Sequence, residues 1–369
     1  MRNRSENASL RRKGADAGAA SGRTGSDDEV RFMERAIALG ERSRGATRPN
    51  PPVGAVVVKG GRIIGEGRHR RCGCAHAEVE ALESVRRNGN CAKGATVYVS
   101  LEPCSKPGRV GACCDALKTA GVSRVVWAVP DPNPRNAGGA ASALRKAGIE
   151  TECWWRARDD RKRSCAMRAK ELVAPFAKHV ATGLPYVTVK IAMSLDGRIC
   201  DESGDARWVS SERARKATGR LRERVDVMLV GAETVRRDNP SLLSHGRRND
   251  NLYRAVATRS GILPESAQIF TDEAKDRTLV FVVGEVRRDA GDGVTPNAIH
   301  VGSLREMMRR LGDMGFMHVL CEGGLELATS LAKAGLVDEW LTVLSPKVIG
   351  HGRIGDADIV PRVSVMTDF

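Results

Sequence analysis

Three metal-ligand side chains, set apart by a helix signal and a strand signal, constrain this fold more than any other feature of the chain. His76 and Glu78 stand in the run Ala75-His76-Ala77-Glu78. Cys104 follows Glu102-Pro103, and eight residues separate it from Cys113. One imidazole and two thiolates bind zinc with a fourth position left open for water. Zinc lowers the pKa of such a water toward ~7, and a glutamate that is not a ligand can carry the proton it gives up. Ligands this far apart in sequence can serve one ion only if the elements between them converge. Ala77, Val79, Ala81, Leu82 and Val85 recur at helical spacing, which places His76 and Glu78 in the first turn of a helix. Ala95-Thr96-Val97-Tyr98-Val99-Ser100-Leu101 reads as a buried strand ending just before Cys104, with Cys113 near the start of the next helix. Taken singly, His76 is an ordinary buried histidine and Cys104 a small hydrophobe. Taken together they are the equipment of a hydrolytic deaminase.

A chain of 369 residues is long enough for two domains, and its 41% hydrophobic content can fill both cores. No apolar run reaches the ~18 residues of a membrane span. Ten cysteines show no disulfide framework and follow no secretory signal, which points to the reducing cytoplasm. The net charge of +15 raises nucleic acid as a partner, but three Tyr and six Phe leave little to stack bases on, and the basic residues are spread along the whole chain. A solvated arginine-rich surface and small phosphorylated ligands account for it, with no nucleic acid and no membrane required.

Residues 1–28 are polar and aperiodic and read as a disordered tail. Alternating strand and helix signals follow over 29–158, the first domain, an α/β layer fold. The charged helical stretch 159–182 reads as a linker, and 183–369 as a second domain. There Tyr186 to Met193 is a strand, Val225 to Val230 another, and His318-Val319-Leu320-Cys321 runs into Glu322-Gly323-Gly324 and a helix. Strand, glycine turn and helix N-terminus can hold a phosphate, although a glycine pair alone is more often a tight turn.

At this point the residues resemble a known family. Pro49-Asn50-Pro51, His76-Ala77-Glu78-Val79, Leu101-Glu102-Pro103-Cys104-Ser105, Gly108-Arg109, Cys113-Cys114 and Asp131-Pro132-Asn133-Pro134 carry the likeness in the first half. Ser194-Leu195-Asp196-Gly197-Arg198, Ser203-Gly204-Asp205, Trp208, Thr234-Val235, Asp238-Asn239-Pro240, Glu322-Gly323-Gly324 and Pro346-Lys347 carry it in the second. Over about residues 29–355 the chain resembles the bifunctional riboflavin biosynthesis deaminase/reductases. The eight-residue gap between the cysteines separates it from nucleic-acid and free-base deaminases, in which two residues intervene.

The resemblance implies a cytidine-deaminase-like three-layer zinc domain followed by a dihydrofolate-reductase-like α/β domain. It implies Zn2+ on His76, Cys104 and Cys113, with Glu78 moving protons. The first reaction would be deamination of 2,5-diamino-6-(5-phosphoribosylamino)pyrimidin-4(3H)-one, with Asn50, His69 and Arg109 on the substrate. In the second domain, NADPH would reduce the ribosyl group of the product to ribityl. Ala192, Trp208, Thr234, Asp238 and the run Gly324, Leu325, Glu326, Leu327, Ala328, Thr329, Ser330 would line the cofactor site. Arg222, Leu242 and Glu322 would face the substrate, and Lys190 and Asp238 would flank the reacting carbon. A homo-oligomer is common in the family. Ala206, His245, Thr258 and Arg259 depart from the family pattern. They leave open a chain active only as a deaminase, and the net charge leaves open a nucleic-acid deaminase.

Overall fold

The computed structural model describes residues 25–107, 111–202, 209–244, 249, 251–285, 295–351, 353–354 and 363–367. The first unit runs α1 (Gly25–Glu41), β1 (Gly54–Lys59), β2 (Arg62–Arg68), α2 (Ala77–Arg87), β3 (Thr96–Leu101), α3 (Cys113–Thr119), β4 (Arg124–Val129), α4 (Gly139–Arg145), β5 (Glu150–Cys153) and α5 (Asp160–Thr182). Its five strands lie in the order β2-β1-β3-β4-β5. β1 is antiparallel to β2 and β3, while β3, β4 and β5 run parallel.

Two glycines show how helices come to lie on both faces of this sheet. Residues paired across an antiparallel ladder point to the same side, and neighbours along a strand point to opposite sides. Gly54 pairs with Arg68, and Ala55 with Gly67, so the two glycines face opposite ways. A Cβ on Gly54 would meet the Ala36 carbonyl of α1 at 2.1 Å, and one on Gly67 would meet the Ala77 carbonyl of α2 at 2.3 Å. Each glycine lets a helix backbone sit directly on the sheet. The result is the expected three-layer arrangement, and it brings the first turn of α2 down onto the strands.

The helix expected as a linker is also a wall of the first unit. Cys165, Ala166, Ala169, Leu172 and Val173 of α5 are buried in the same core as β1, β3 and β4. They recur at 3.6-residue spacing beneath the charged face that dominates the sequence. Asp159 caps the helix, accepting from the backbone N–H of Arg161 and Lys162 at 2.8 and 3.1 Å. Gly183 ends it at φ 71°. The first helix likewise begins at Gly25, inside the stretch assigned to the tail, with Asp27 and Asp28 in its first turn. Residues 1–24 lie outside the described residues.

The second unit runs β6 (Tyr186–Met193), β7 (Arg198–Cys200), α6 (Glu212–Gly219), β8 (Val227–Gly231), α7 (Ala232–Asp238), β9 (Tyr253–Thr258), α8 (Gln268–Thr271), β10 (Thr278–Val283), β11 (Ile299–Val301), α9 (Leu304–Asp313), β12 (His318–Cys321), α10 (Leu325–Lys333), β13 (Glu339–Leu344), β14 (Arg353–Ile354) and β15 (Val363–Thr367). Eight strands form one sheet in the order β11-β10-β9-β8-β12-β6-β13-β15, and every pairing in it is parallel. A parallel sheet must be covered on both sides, and β8 with four buried residues in a row reads accordingly. All its strand C-termini therefore open toward one edge, where ligands of such sheets bind. Among the described residues no helix is long and apolar enough to cross a membrane.

Candidate active sites

The first site forms where α2, the end of β3 and the start of α3 meet. His76 is the residue before α2, Cys104 lies three residues past β3, and Cys113 opens α3. His76 Nδ1 is 3.2 Å from Cys113 Sγ and 3.7 Å from Cys104 Sγ. All three ligand atoms lie within 4.8 Å of one another, the one such His/Cys/Asp/Glu group found among the described residues. A tetrahedral zinc with bonds of ~2.3 Å to sulfur and ~2.05 Å to nitrogen sets its ligands about 3.6 Å apart, so the donor set fits that ion. The thiol chemistry fits as well. Cys104 is pushed down to about 4, first by the bond from the Cys113 thiol and then by His76 and the Cys113 backbone N–H at 3.2 Å. Cys113 is driven up by the same partnership and by burial. Glu78, 3% exposed in the first turn of α2, is raised by burial.

Asn50 and His69 stand beside this cluster. His69 is 2% exposed, and its ring lies edge-on to His76 with centroids 5.3 Å apart. Asn50 Nδ2 donates to His69 Nε2 at 3.1 Å, so Nδ1 carries the proton and donates to the Ala75 carbonyl at 3.0 Å. Burial lowers the pKa of His69, in keeping with a neutral ring. Arg109 lies outside the described residues, as does Trp208 in the second unit.

Sequence reasoning read Glu102 only as part of a motif, but its carboxylate organises the wall of this site. It is 4% exposed and accepts three backbone N–H groups, from Asp131 at 3.2 Å, Gly138 at 3.1 Å and Ala140 at 3.2 Å. The loop so gathered presses on the residue after Cys104, since a Cβ on Gly139 would lie 2.1 Å from Ser105 Oγ. The Asp131-Pro132-Asn133-Pro134 run was the available signal, because a turn needs an acceptor for its amides.

The second site is a cavity of about 520 Å³ at the C-terminal edge of the parallel sheet. Lys190 and Ala192 reach it from β6, Thr234 and Asp238 from α7, and Glu322 and Gly324 from the turn after β12. Arg222 enters from the segment before β8 and binds Glu322 at 2.8 and 3.3 Å and the Leu243 carbonyl at 3.1 Å. A neighbouring cavity of about 540 Å³ shares Thr234 and Gly324 and adds Glu326, Leu327 and Ser330. Both volumes are in the range of ligand pockets, and the two adjoin at Thr234 and Gly324. The turn is tight at Gly323, where a Cβ would meet Leu327 Cδ2 at 3.0 Å and the Gly231 nitrogen at 3.1 Å, whereas Gly324 faces open space.

Not every expected residue meets the cleft. Leu242 has φ 56° and is 2% exposed in a core cluster, and it lines neither cavity, so the residue expected on the substrate is instead packed in the core. Ala328 is buried on the inner face of α10, and Thr329 lines neither cavity. Conversely Arg215 and Lys216 of α6 line the first cavity, and Arg236, Arg237 and Arg259 the second. Arg259 was singled out in the sequence only as a departure from the family pattern, and the other four carried no sign beyond general basicity.

Comparison with known proteins divides the chain into the same two parts. Residues 26–129 match the family described as the cytidine and deoxycytidylate deaminase zinc-binding region, and residues 185–360 match the RibD C-terminal domain. The chain is 39% identical over 333 residues to the riboflavin biosynthesis protein RibD of Bacillus amyloliquefaciens, covering 87% of this chain and 85% of that one. It is 37% identical over 340 residues to the RibD of Escherichia coli, covering 88% and 89%. A crystal structure of a diaminohydroxyphosphoribosylaminopyrimidine deaminase/5-amino-6-(5-phosphoribosylamino)uracil reductase from Thermotoga maritima matches with a TM-score of 0.77 at 32% identity, covering 90% of this chain and 93% of that one. The chain belongs to the RibD family of riboflavin biosynthesis proteins, as an enzyme with a zinc-binding deaminase domain and an NADPH-dependent reductase domain.

Proposed function

We propose that the first domain deaminates 2,5-diamino-6-(5-phosphoribosylamino)pyrimidin-4(3H)-one and that the second reduces the ribosyl group of 5-amino-6-(5-phosphoribosylamino)uracil to ribityl. The observation that carries this reading is the His76, Cys104 and Cys113 cluster beside buried Glu78, in a chain that continues into the Lys190–Asp238 cleft.

Zinc, when bound, supplies an acidified water at the open position. Glu78 would carry both protons of that water in turn, the first to the ring nitrogen, where it stays, and the second to the departing amine. A C–O bond forms at the ring carbon, the C–N bond breaks, and ammonia leaves. Asn50 and His69, locked together by their hydrogen bond, face the pyrimidine nucleotide, and Arg109 suits its phosphate or ring carbonyl.

In the second domain NADPH supplies the hydride. The residues orient the sugar, with Arg222 and Glu322 on the substrate side. Lys190 and Asp238 flank C1 of the opened ribose, where they hold hydroxyls and pass the proton that completes the reduction. Ala192, Trp208 and Thr234 hold the cofactor, with Gly324, Leu325, Glu326, Leu327 and Ser330 beside them. We place the enzyme in the cytoplasm, as a homo-oligomer without nucleic-acid partners. Its ten free cysteines support a reducing compartment.

Selective inactivation tests the assignment. Glu78→Gln should abolish ammonia release while leaving NADPH oxidation with the uracil intermediate intact, and Asp238→Asn should do the reverse. Loss of both activities in either variant, measured in folded zinc-loaded protein, would contradict it.

A further inference from the structure

The segment between α1 and β1 belongs to the first domain by sequence, yet the second domain holds it. It is a string of turns, with Ser43 N–H bonded to the Gly40 carbonyl at 2.9 Å and Asn50 N–H to the Thr47 carbonyl at 2.9 Å. Asn50 at its end lies against His69 in the deaminase site. Two residues earlier, the Arg48 guanidinium sits 4.5 Å from the Phe316 ring centroid and 5.3 Å from that of Tyr253. It also donates to the Asn251 carbonyl at 3.3 Å, and its Nε lies 4.0 Å from Asp226. The contact is specific to this side chain. Asp226 Oδ2 is already committed to the N–H groups of Met317 and His318 at 2.8 and 3.0 Å, which leaves Oδ1 turned to Arg48. Backbone contact adds a second anchor: a Cβ on Gly45, at φ 72°, would meet the Glu223 carbonyl at 2.6 Å.

An arginine that stacks on two rings, bonds a carbonyl and faces a buried carboxylate is an expensive way to tie down an ordinary surface loop. Its position makes sense if the loop's end must be held. We infer that Arg48 is a positioning residue for deamination: docked on Phe316, Tyr253 and Asp226 of the reductase domain, it fixes the turn that sets Asn50 against His69. The reductase domain thus completes the nucleotide pocket of the deaminase without contributing a group to it. The inference rests on the reading of Asn50 as a substrate contact.

The test uses the full-length zinc-loaded enzyme with Arg48→Met, which keeps the apolar stem, Arg48→Lys, which keeps the charge, and Asn50→Ala. Arg48→Met should speed amide exchange across residues 43–50 and raise the deaminase KM about tenfold, the scale of a partly desolvated cation–π contact. The deaminase kcat, zinc content and reductase kinetics should stay within about twofold, since nothing at either reacting centre changes. Arg48→Lys should recover part of the KM, and Arg48→Met should add little to Asn50→Ala. An unchanged exchange rate at 43–50, or an unchanged KM in Arg48→Met when Asn50→Ala raises it, would overturn the inference. If exchange rises but Asn50→Ala leaves KM unchanged, the substrate role of Asn50 fails while the anchoring of its turn by the reductase domain stands.

Discussion

Replacing Glu102 by glutamine removes one charge and one acceptor from a buried site, and its cost can be worked out bond by bond. Oε2 serves both Asp131 and Gly138, and Oε1 serves Ala140. A glutamine can keep its oxygen toward the first two amides, but its NH2 then faces the Ala140 N–H. Two charge-assisted bonds weaken to neutral ones, and one buried donor is left without a partner. With net values of about 1.5–3 kcal/mol for a charged bond and about 1–3 kcal/mol for an unpaired buried group, the loss is about 3 kcal/mol. For a domain of this size that lowers the midpoint of the deaminase transition by about 6–12 °C in calorimetry of the zinc-loaded protein. The reductase transition should not move. Because the freed loop bears on Ser105, next to a ligand, zinc affinity should also fall by about 10–100-fold, the usual effect of disturbing groups behind a metal ligand. A deaminase midpoint within about 2 °C of the parent would refute the reasoning, since it would mean the three amides find equal partners elsewhere.

Removing zinc with a chelator should stop ammonia release but leave NADPH oxidation unchanged when the deaminated intermediate is supplied directly, which a paired assay checks. Asp272→Ala strips the bidentate partner, at 2.5 and 2.9 Å, from Arg254, a side chain with no exposed surface. The stranded charge should cost the reductase unit about 3–5 kcal/mol in urea unfolding and leave the deaminase transition in place. Burial pushes His318 down to about 3, whereas an unfolded histidine titrates near 6.5. As pH falls below about 6.5 the unfolded chain takes up a proton that the folded one refuses, so stability drops by about 2 kcal/mol by pH 5. His318→Gln should remove that part of the pH dependence, read as the urea midpoint of the reductase transition at about pH 7.5 and 5. Equal pH slopes in the two proteins would contradict it.

The zinc cluster was legible because its chemistry demands particular residue types, and because local periodicity already put His76, Cys104 and Cys113 at element ends. Three strands of the second domain, Tyr186 to Met193, Val225 to Val230 and His318 to Cys321, were legible as apolar runs, but their parallel pairing in one eight-stranded sheet was not. What stayed hidden depends on contacts between distant segments. Glu102 acts on amides about 30 to 40 residues away, and nothing in its own surroundings marks a carboxylate as an acceptor for backbone groups. Helix α5 carries its apolar stripe under a run of charge, so its packing into the first core is visible only once β1, β3 and β4 are assembled. Leu242 illustrates a third limit: a motif match places a residue near a site but does not say whether it faces the ligand or the core, and Leu242 is packed in the core.

The most direct test of two consecutive reactions on one chain is a single time course that follows ammonia and NADPH together, starting from the diaminopyrimidine nucleotide. Ammonia should appear with or without NADPH. NADPH oxidation should begin only after a lag and should reach one equivalent per ammonia released. Oxidation that precedes ammonia release, or proceeds without it, would contradict the account.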